Sequence, residues 1–259
     1  MLFRQIFFYA LIVGLVSGLT LTAVQMWQVV PIIHSAEVFE AEPAPVIANQ
    51  SAHEHSHGAA HHHDEAAWAP ENGAERTGFT LLSNILTAIG FALFMQTAIV
   101  MTLKKHVKNQ LTMKAGLLWA AAGYSVFFIA PSLGLPPEIP GAAAGPLEMR
   151  QMWWLGAVIC TAAGLGGFAF IKSHWRWATL SLILIPHLVG APQSPGEHFA
   201  EQPVAAAAQL LELADQFIGA TALANAAFWL VLGLVSVWSV RRISSTMGKP
   251  FENDLSNQN

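Results

Sequence analysis

The sequence predicts an all-α integral membrane protein with about six transmembrane helices and both termini in the cytoplasm. Three observations support this class: 54% of the residues are hydrophobic, only 11% are charged, and the apolar residues form long segments. Soluble domains carry about 25% charged residues, whereas a membrane-spanning helix needs about 20 mostly apolar ones. Because unpaired backbone groups cannot face lipid, these segments are expected to be helices. We therefore expect residues 1–259 to form a single polytopic membrane domain.

Six apolar segments meet the length requirement, and the fifth is the shortest. In chain order they are roughly Ile6–Val30, Phe79–Leu103, Met113–Ile129, Met152–Ile171, Trp175–Ala191 and Phe217–Val240. The first is longer than the apolar core of a signal peptide, so we predict an uncleaved helix. Within it, Gly14 and Gly18 form a G-x-x-x-G pair, which would let a neighbouring helix approach closely.

The distribution of charge predicts the orientation. With the amino terminus inside, ten of the twelve Lys and Arg residues fall on the cytoplasmic side, including those of a short tail, residues 241–259. This is the positive-inside pattern. Acidic residues have the opposite bias, and an acidic outer face attracts cations and raises their local concentration.

The first outer loop, residues 31–78, is rich in His and Glu, and its prolines and alanines predict a flexible segment. It contains the stretch SAHEHSHGAAHHHDE. Imidazole and carboxylate groups suit divalent zinc, nickel, copper and cobalt, so the stretch indicates metal capture, with a passive polar linker as the alternative. The predicted metal ligands are His53, His55, His57, His61, His62, His63, Asp64 and Glu65.

A second candidate metal pair lies just beyond the first segment. His34 and Glu37 are three residues apart. If the helix continues that far, the two side chains share a face and could bind one ion.

Polar side chains within the spans are the candidates for a transport path, because such groups are costly in hydrocarbon. No Asp, Glu, Lys or Arg lies deep within the six segments. Gln25, Met26 and Gln96 are the candidates in the first two segments.

His187 follows Pro186, which should kink its helix and free a carbonyl, as in the broken helices of transporters. The structural alternative is a histidine that hydrogen-bonds a neighbouring helix. The second outer loop adds Glu138, Glu148 and Arg150.

Several functional classes have no support in the sequence. There is no phosphate-binding loop and no metalloprotease or serine-hydrolase motif, so we expect neither an enzyme nor a tightly bound cofactor. The single cysteine, Cys160, excludes a multi-cysteine metal site. Basic patches interleaved with aromatic residues are absent, which argues against a nucleic-acid partner.

The stretches MLFRQIFFYALIVGLVSGL, LGLPPEIPG, RQMWW and PHLVGAP resemble the CbtA family of predicted cobalt transporter subunits. The resemblance implies a bacterial inner-membrane protein associated with cobalamin metabolism, and cobalt as the transported ion. It also implies a small one-helix membrane partner resembling CbtB. It favours Glu138, Arg150, Gln151 and His187 as functional positions, because they lie in these stretches. The family is often described with five membrane segments, whereas six are predicted here.

The leading interpretation is therefore a permease subunit that imports cobalt(II), with the His-rich loop as an extracytoplasmic capture device. Two alternatives stay open. One is a permease for another divalent metal, namely nickel, zinc or copper, since the ligands alone do not identify the metal. The other is a membrane metal sensor or scaffold without transport.

Overall fold

The computed structural model describes residues 2–41, 70–103, 111–194, 196, 198–200 and 202–247. Within these ranges every regular element is a helix, which confirms the all-α prediction. The α-helices are α1 (Leu2–Val24), α2 (Val30–Ala41), α3 (Ala74–Leu103), α4 (Met113–Tyr124), α5 (Ala130–Ser132), α6 (Leu147–Phe170), α7 (Arg176–Thr179), α8 (Ile185–Val189) and α9 (Val204–Met247). Two π-helical turns, Gln25–Val29 and Ser125–Ile129, and one 3₁₀ turn, Leu180–Leu184, connect consecutive α-helices.

Five stretches of the described chain are long and apolar enough to cross a membrane. They are Leu2–Phe39, Ala74–Leu103, Met113–Ser132, Leu147–Phe170 and Val204–Ser245. These stretches contain the first, second, third, fourth and sixth predicted segments, largely or entirely. The fifth predicted segment is a shorter apolar helix, Arg176–Val189. The number of crossings and the cytoplasmic termini therefore stay predictions.

Each irregular turn ends two residues before a proline. Pro31, Pro131 and Pro186 follow the turns that end at Val29, Ile129 and Leu184. Proline has no N–H to donate, and its ring crowds the carbonyl four residues earlier in an α-helix. A wider or tighter turn before the proline changes the hydrogen-bond register, so the helix continues through it. The helix is irregular at Pro186 as expected, but the carbonyl that was expected to be freed, that of Leu182, accepts a hydrogen bond from Ile185 N.

The first helix packs tightly against α3. A Cβ atom added at Gly18 would lie 2.7 Å from Ile85 Cα, and one added at Gly14 would lie 2.7 Å from Ile89 Cα. No side chain fits at these distances, so the glycines allow the two backbones to meet. This confirms the prediction made from the G-x-x-x-G pair. Helix α9 packs against α1 and α3 as well, and the interface buries Val13, Ile99 and Leu232.

The segment from α7 to α8 folds back along α6. Near the end of α6, the Gly164 carbonyl accepts a hydrogen bond from Thr179 Oγ1 at 3.1 Å. Near its start, Trp153 Nε1 donates to the Pro186 carbonyl at 3.0 Å. The chain therefore returns toward the end of the molecule at which α6 begins.

Candidate functional site

A cavity of about 240 Å³ lies between the π-helical turn Gln25–Val29 and α2 on one side and the start of α3 on the other, at the predicted outer face. It contains two of the positions predicted for the transport path, Gln25 and Met26, and one predicted metal ligand, His34. Its lining residues are Gln25, Met26, Val29, Val30, Ile33, His34, Gly73, Arg76, Thr77 and Thr80. Both path residues belong to the π-helical turn, and such turns in α-helices are frequent at functional sites.

The floor of this cavity is held by a polar contact between the two helices. Asn84 Nδ2 donates to Gln25 Oε1 at 2.6 Å and to Thr22 Oγ1 at 3.0 Å. Thr22 Oγ1 in turn donates to the Gly18 carbonyl at 2.9 Å. Because lipid offers no alternative partners, these bonds fix the position of Gln25 relative to α3.

The rim of the cavity carries a charged cluster. Helix α2 continues through residue 37, so His34 and Glu37 share a face as predicted, and His34 Nδ1 lies 3.2 Å from Glu37 Oε2. Arg76 also binds this carboxylate. Its Nη2 donates to Glu37 Oε1 at 2.6 Å, and its Nη1 donates to Glu37 Oε2 at 3.2 Å.

Arg76 is the rim residue that the sequence analysis missed. Its guanidinium forms two parallel hydrogen bonds with one carboxylate, the strongest geometry for such a pair. A divalent ion bound by His34 and Glu37 would have to displace it. The assignment of His34 and Glu37 as a metal site stays a prediction. Only one signal pointed to Arg76: it is one of two basic residues on the predicted outer face.

A second group of predicted residues meets near the start of α6, at the predicted outer face. Arg150 Nη2 donates to Glu138 Oε2 at 2.6 Å, so the two charges are paired. One turn further along α6, the ring of Trp153 packs edge-on against His187, with centroids 5.7 Å apart. The Nε2 atom of His187 is buried and has no hydrogen-bond partner. Glu148 and Gln151, also on α6, are exposed.

Gln96 is the most enclosed of the predicted path residues. Its side chain is fully buried within α3, and neither Oε1 nor Nε2 has a hydrogen-bond partner. Gln96 lies on the same helix as Asn84 but about three turns beyond it, toward Leu103. The structure therefore separates the candidates into three places. Gln25, Met26 and His34 line the cavity, called the outer cavity below, and Gln96 lies apart from it, between helices. Glu138, Arg150 and His187 belong to the second group, called the cluster on α6 below.

The predicted ligands of the His-rich stretch, His53 to Glu65, lie outside the described residues. Among the residues that are described, no group of three or more His, Cys, Asp or Glu side chains is arranged to hold a metal ion. The ligand set predicted for that stretch stays a prediction.

Comparison with known proteins identifies the family. A family model described as "probable cobalt transporter subunit (CbtA)" matches residues 3–241, nearly the whole chain. The chain belongs to the CbtA family. No curated protein and no solved structure matches it.

Membership in the CbtA family confirms the resemblance noted in the sequence. A transporter subunit with several apolar helices is a multi-pass membrane protein, and the word subunit implies a partner. The family description names a transporter subunit, with cobalt as its substrate. The matched range includes both the outer cavity and the cluster on α6.

Proposed function

We propose that this chain forms the route by which cobalt(II) enters a bacterial cell across the inner membrane. The outer cavity is the entrance, and the His-rich loop captures the ion and delivers it there. A small one-helix membrane protein completes the transporter.

The observation that carries this proposal is the position of the cavity. It brings together His34 from the rim and Gln25 and Met26 from the π-helical turn, between two helices that are apolar along most of their length. A cavity that carries polar side chains at the end of an apolar helix pair is where an ion can exchange water for protein ligands. Imidazole, amide oxygen and thioether are ligands that a borderline ion such as cobalt(II) accepts.

The pair between Arg76 and Glu37 controls access in this proposal. With the guanidinium on the carboxylate, Glu37 offers an approaching cation less negative charge. An approaching divalent ion competes with Arg76 for Glu37, and only an ion that binds His34 at the same time offsets the lost hydrogen bonds. The pair would thus disfavour sodium and potassium, which bind imidazole poorly.

The cluster on α6 has a supporting role. His187 has a buried nitrogen without a partner, beside a proline that interrupts its helix. Such a bend, with an imidazole at it, can bind an ion or act as a hinge during transport. The ion pair between Glu138 and Arg150 lies one turn before Trp153 and ties the second predicted outer loop to α6.

The test is uptake of radiolabelled cobalt by cells that express the chain, with and without its one-helix partner, in the presence of nickel or zinc. Cobalt accumulation that nickel and zinc inhibit only weakly supports the proposal. Equal or stronger inhibition by another ion identifies a permease for that metal. Metal binding to the chain without any uptake identifies a sensor or scaffold.

A further inference from the structure

One fully buried polar side chain in the described helices, Gln96, has no hydrogen-bond partner in the protein. Gln96 is 0% exposed, and both polar atoms of its amide lack a hydrogen bond. An amide buried in this way is costly, because neither lipid nor the neighbouring side chains replace the water it loses. Most buried polar groups in proteins are paired. The unpaired amide therefore indicates a ligand.

A second unpaired group lies at nearly the same depth. Ser236, on α9, is also 0% exposed, and its Oγ atom has no partner. The helix register relates the two residues. Gly14 of α1 faces Ile89 of α3, and the two helices run antiparallel. Gln96, seven residues after Ile89, is therefore level with residue 7 of α1, seven residues before Gly14.

The contact between α1 and α9 gives the depth of Ser236. Tyr9 packs against Trp238, with ring centroids 6.0 Å apart. Helices α1 and α9 run antiparallel. Ser236, two residues before Trp238, is therefore level with residue 11 of α1, two residues after Tyr9. The two unpaired groups thus differ in depth by about one helical turn, or about 6 Å.

We infer that Gln96 and Ser236 form an inner binding site for a divalent cation that keeps part of its water shell. This inference rests on the proposed function and places a second site along the same route. The amide Oε1 and the hydroxyl Oγ are neutral oxygen ligands, and Gln96 Nε2 donates to a water of the ion. Neutral oxygens bind such an ion weakly, which favours its onward release.

Two further unpaired oxygens lie on α1. Ser17 Oγ is fully buried between the outer cavity and the inner site, and Gln5 Oε1 lies beyond the inner site toward the amino terminus. Together with Gln25, they provide polar atoms at intervals through the bundle. An ion that leaves the outer cavity therefore meets the inner site before it reaches the predicted cytoplasmic end.

The matched variants are Gln96→Leu and Ser239→Ala. Leucine keeps most of the volume of Gln96 and removes the unpaired amide, so the protein should fold at least as well. Ser239 is equally buried but its Oγ already donates to the Ser236 carbonyl at 2.8 Å. Its replacement therefore controls for the loss of a buried polar group that is already paired within the protein.

The first readout is cobalt uptake by cells that also express the one-helix partner. Gln96→Leu should raise the KM for cobalt about tenfold or more, the usual cost of disturbing a metal site. Its amount in the membrane and its Tm in detergent should be unchanged or higher. Ser239→Ala should leave KM unchanged. Uptake by Gln96→Leu that equals that of the parent overturns the inference and leaves the proposed function intact.

The second readout does not require transport. In purified full-length protein with His34 and the six loop histidines replaced by alanine, cobalt should raise the Tm, and Gln96→Leu should abolish that shift. If the parent transports no cobalt but shows this shift, the proposed function fails and the inner site stands. If the Tm shift is the same in both proteins, Gln96 binds a structural water only, and the inference is overturned.

Discussion

Replacing Gly18 by alanine should destabilise the protein through the contact between α1 and α3. The new Cβ would lie 2.7 Å from Ile85 Cα and 2.9 Å from Ile85 N. These are backbone atoms that cannot rotate away. Ordinary contact begins at 3.4 Å, so the two helices must separate by about 0.7 Å, and close-packed interiors resist such shifts. Overpacking of this kind costs about 1–3 kcal/mol.

The assay is reversible unfolding of the purified protein in mixed micelles, from which the free energy of unfolding is obtained. Gly90→Ala is the matched control, because it lies on α3 with nothing within 4 Å of the added Cβ. Alanine is the better helix former, so the control should gain about 0.5–1 kcal/mol. Equal stabilisation by Gly18→Ala would refute the close helix contact.

Three further predictions concern transport. Arg76→Gln frees the Glu37 carboxylate and removes a positive charge from the rim, so the KM for cobalt in uptake assays should fall about tenfold; an unchanged KM would contradict the role of the ion pair. Replacing the histidines of His53–His63 by alanine should lower uptake at low cobalt and leave the maximum rate unchanged, whereas loss at all concentrations would make the loop part of the path. Because histidine binds metal only when neutral, the loop's contribution should also disappear below about pH 6.5, as uptake measured across pH will test. His187→Ala should lower cobalt uptake while immunoblots of membranes show a normal amount of protein, and normal uptake would exclude a role in transport.

Much of the fold was predictable because long apolar segments in a chain with few charges have one stable form, the helix. The positions at which the helices end were less predictable. The first segment was predicted to end near Val30, at Pro31, but the helix continues to Ala41. The π-helical turn before Pro31 absorbs the missing hydrogen bond. That adjustment depends on packing against neighbouring helices, which a hydropathy pattern does not contain.

The candidate site was predictable in its residues but not in its pairings. Gln25 and Gln96 were predicted as path residues because they are polar side chains within apolar segments. Such side chains are costly in hydrocarbon unless they have a function. The partner of Glu37 was not predictable, because Arg76 is 39 positions away and meets it only when the two helices pack. Local spacing revealed the contact between His34 and Glu37, which lie on one helical face.

Blocking the outer cavity tests the central claim most directly. Thr80 lines the cavity, so Thr80→Trp should fill much of its volume of about 240 Å³. Leu82→Trp, at an exposed position two residues along the same helix, is the control for the added bulk. Radiolabelled cobalt uptake should be lost in Thr80→Trp and retained in Leu82→Trp, with equal amounts of both proteins in the membrane. Normal uptake by Thr80→Trp would show that cobalt does not enter through this cavity.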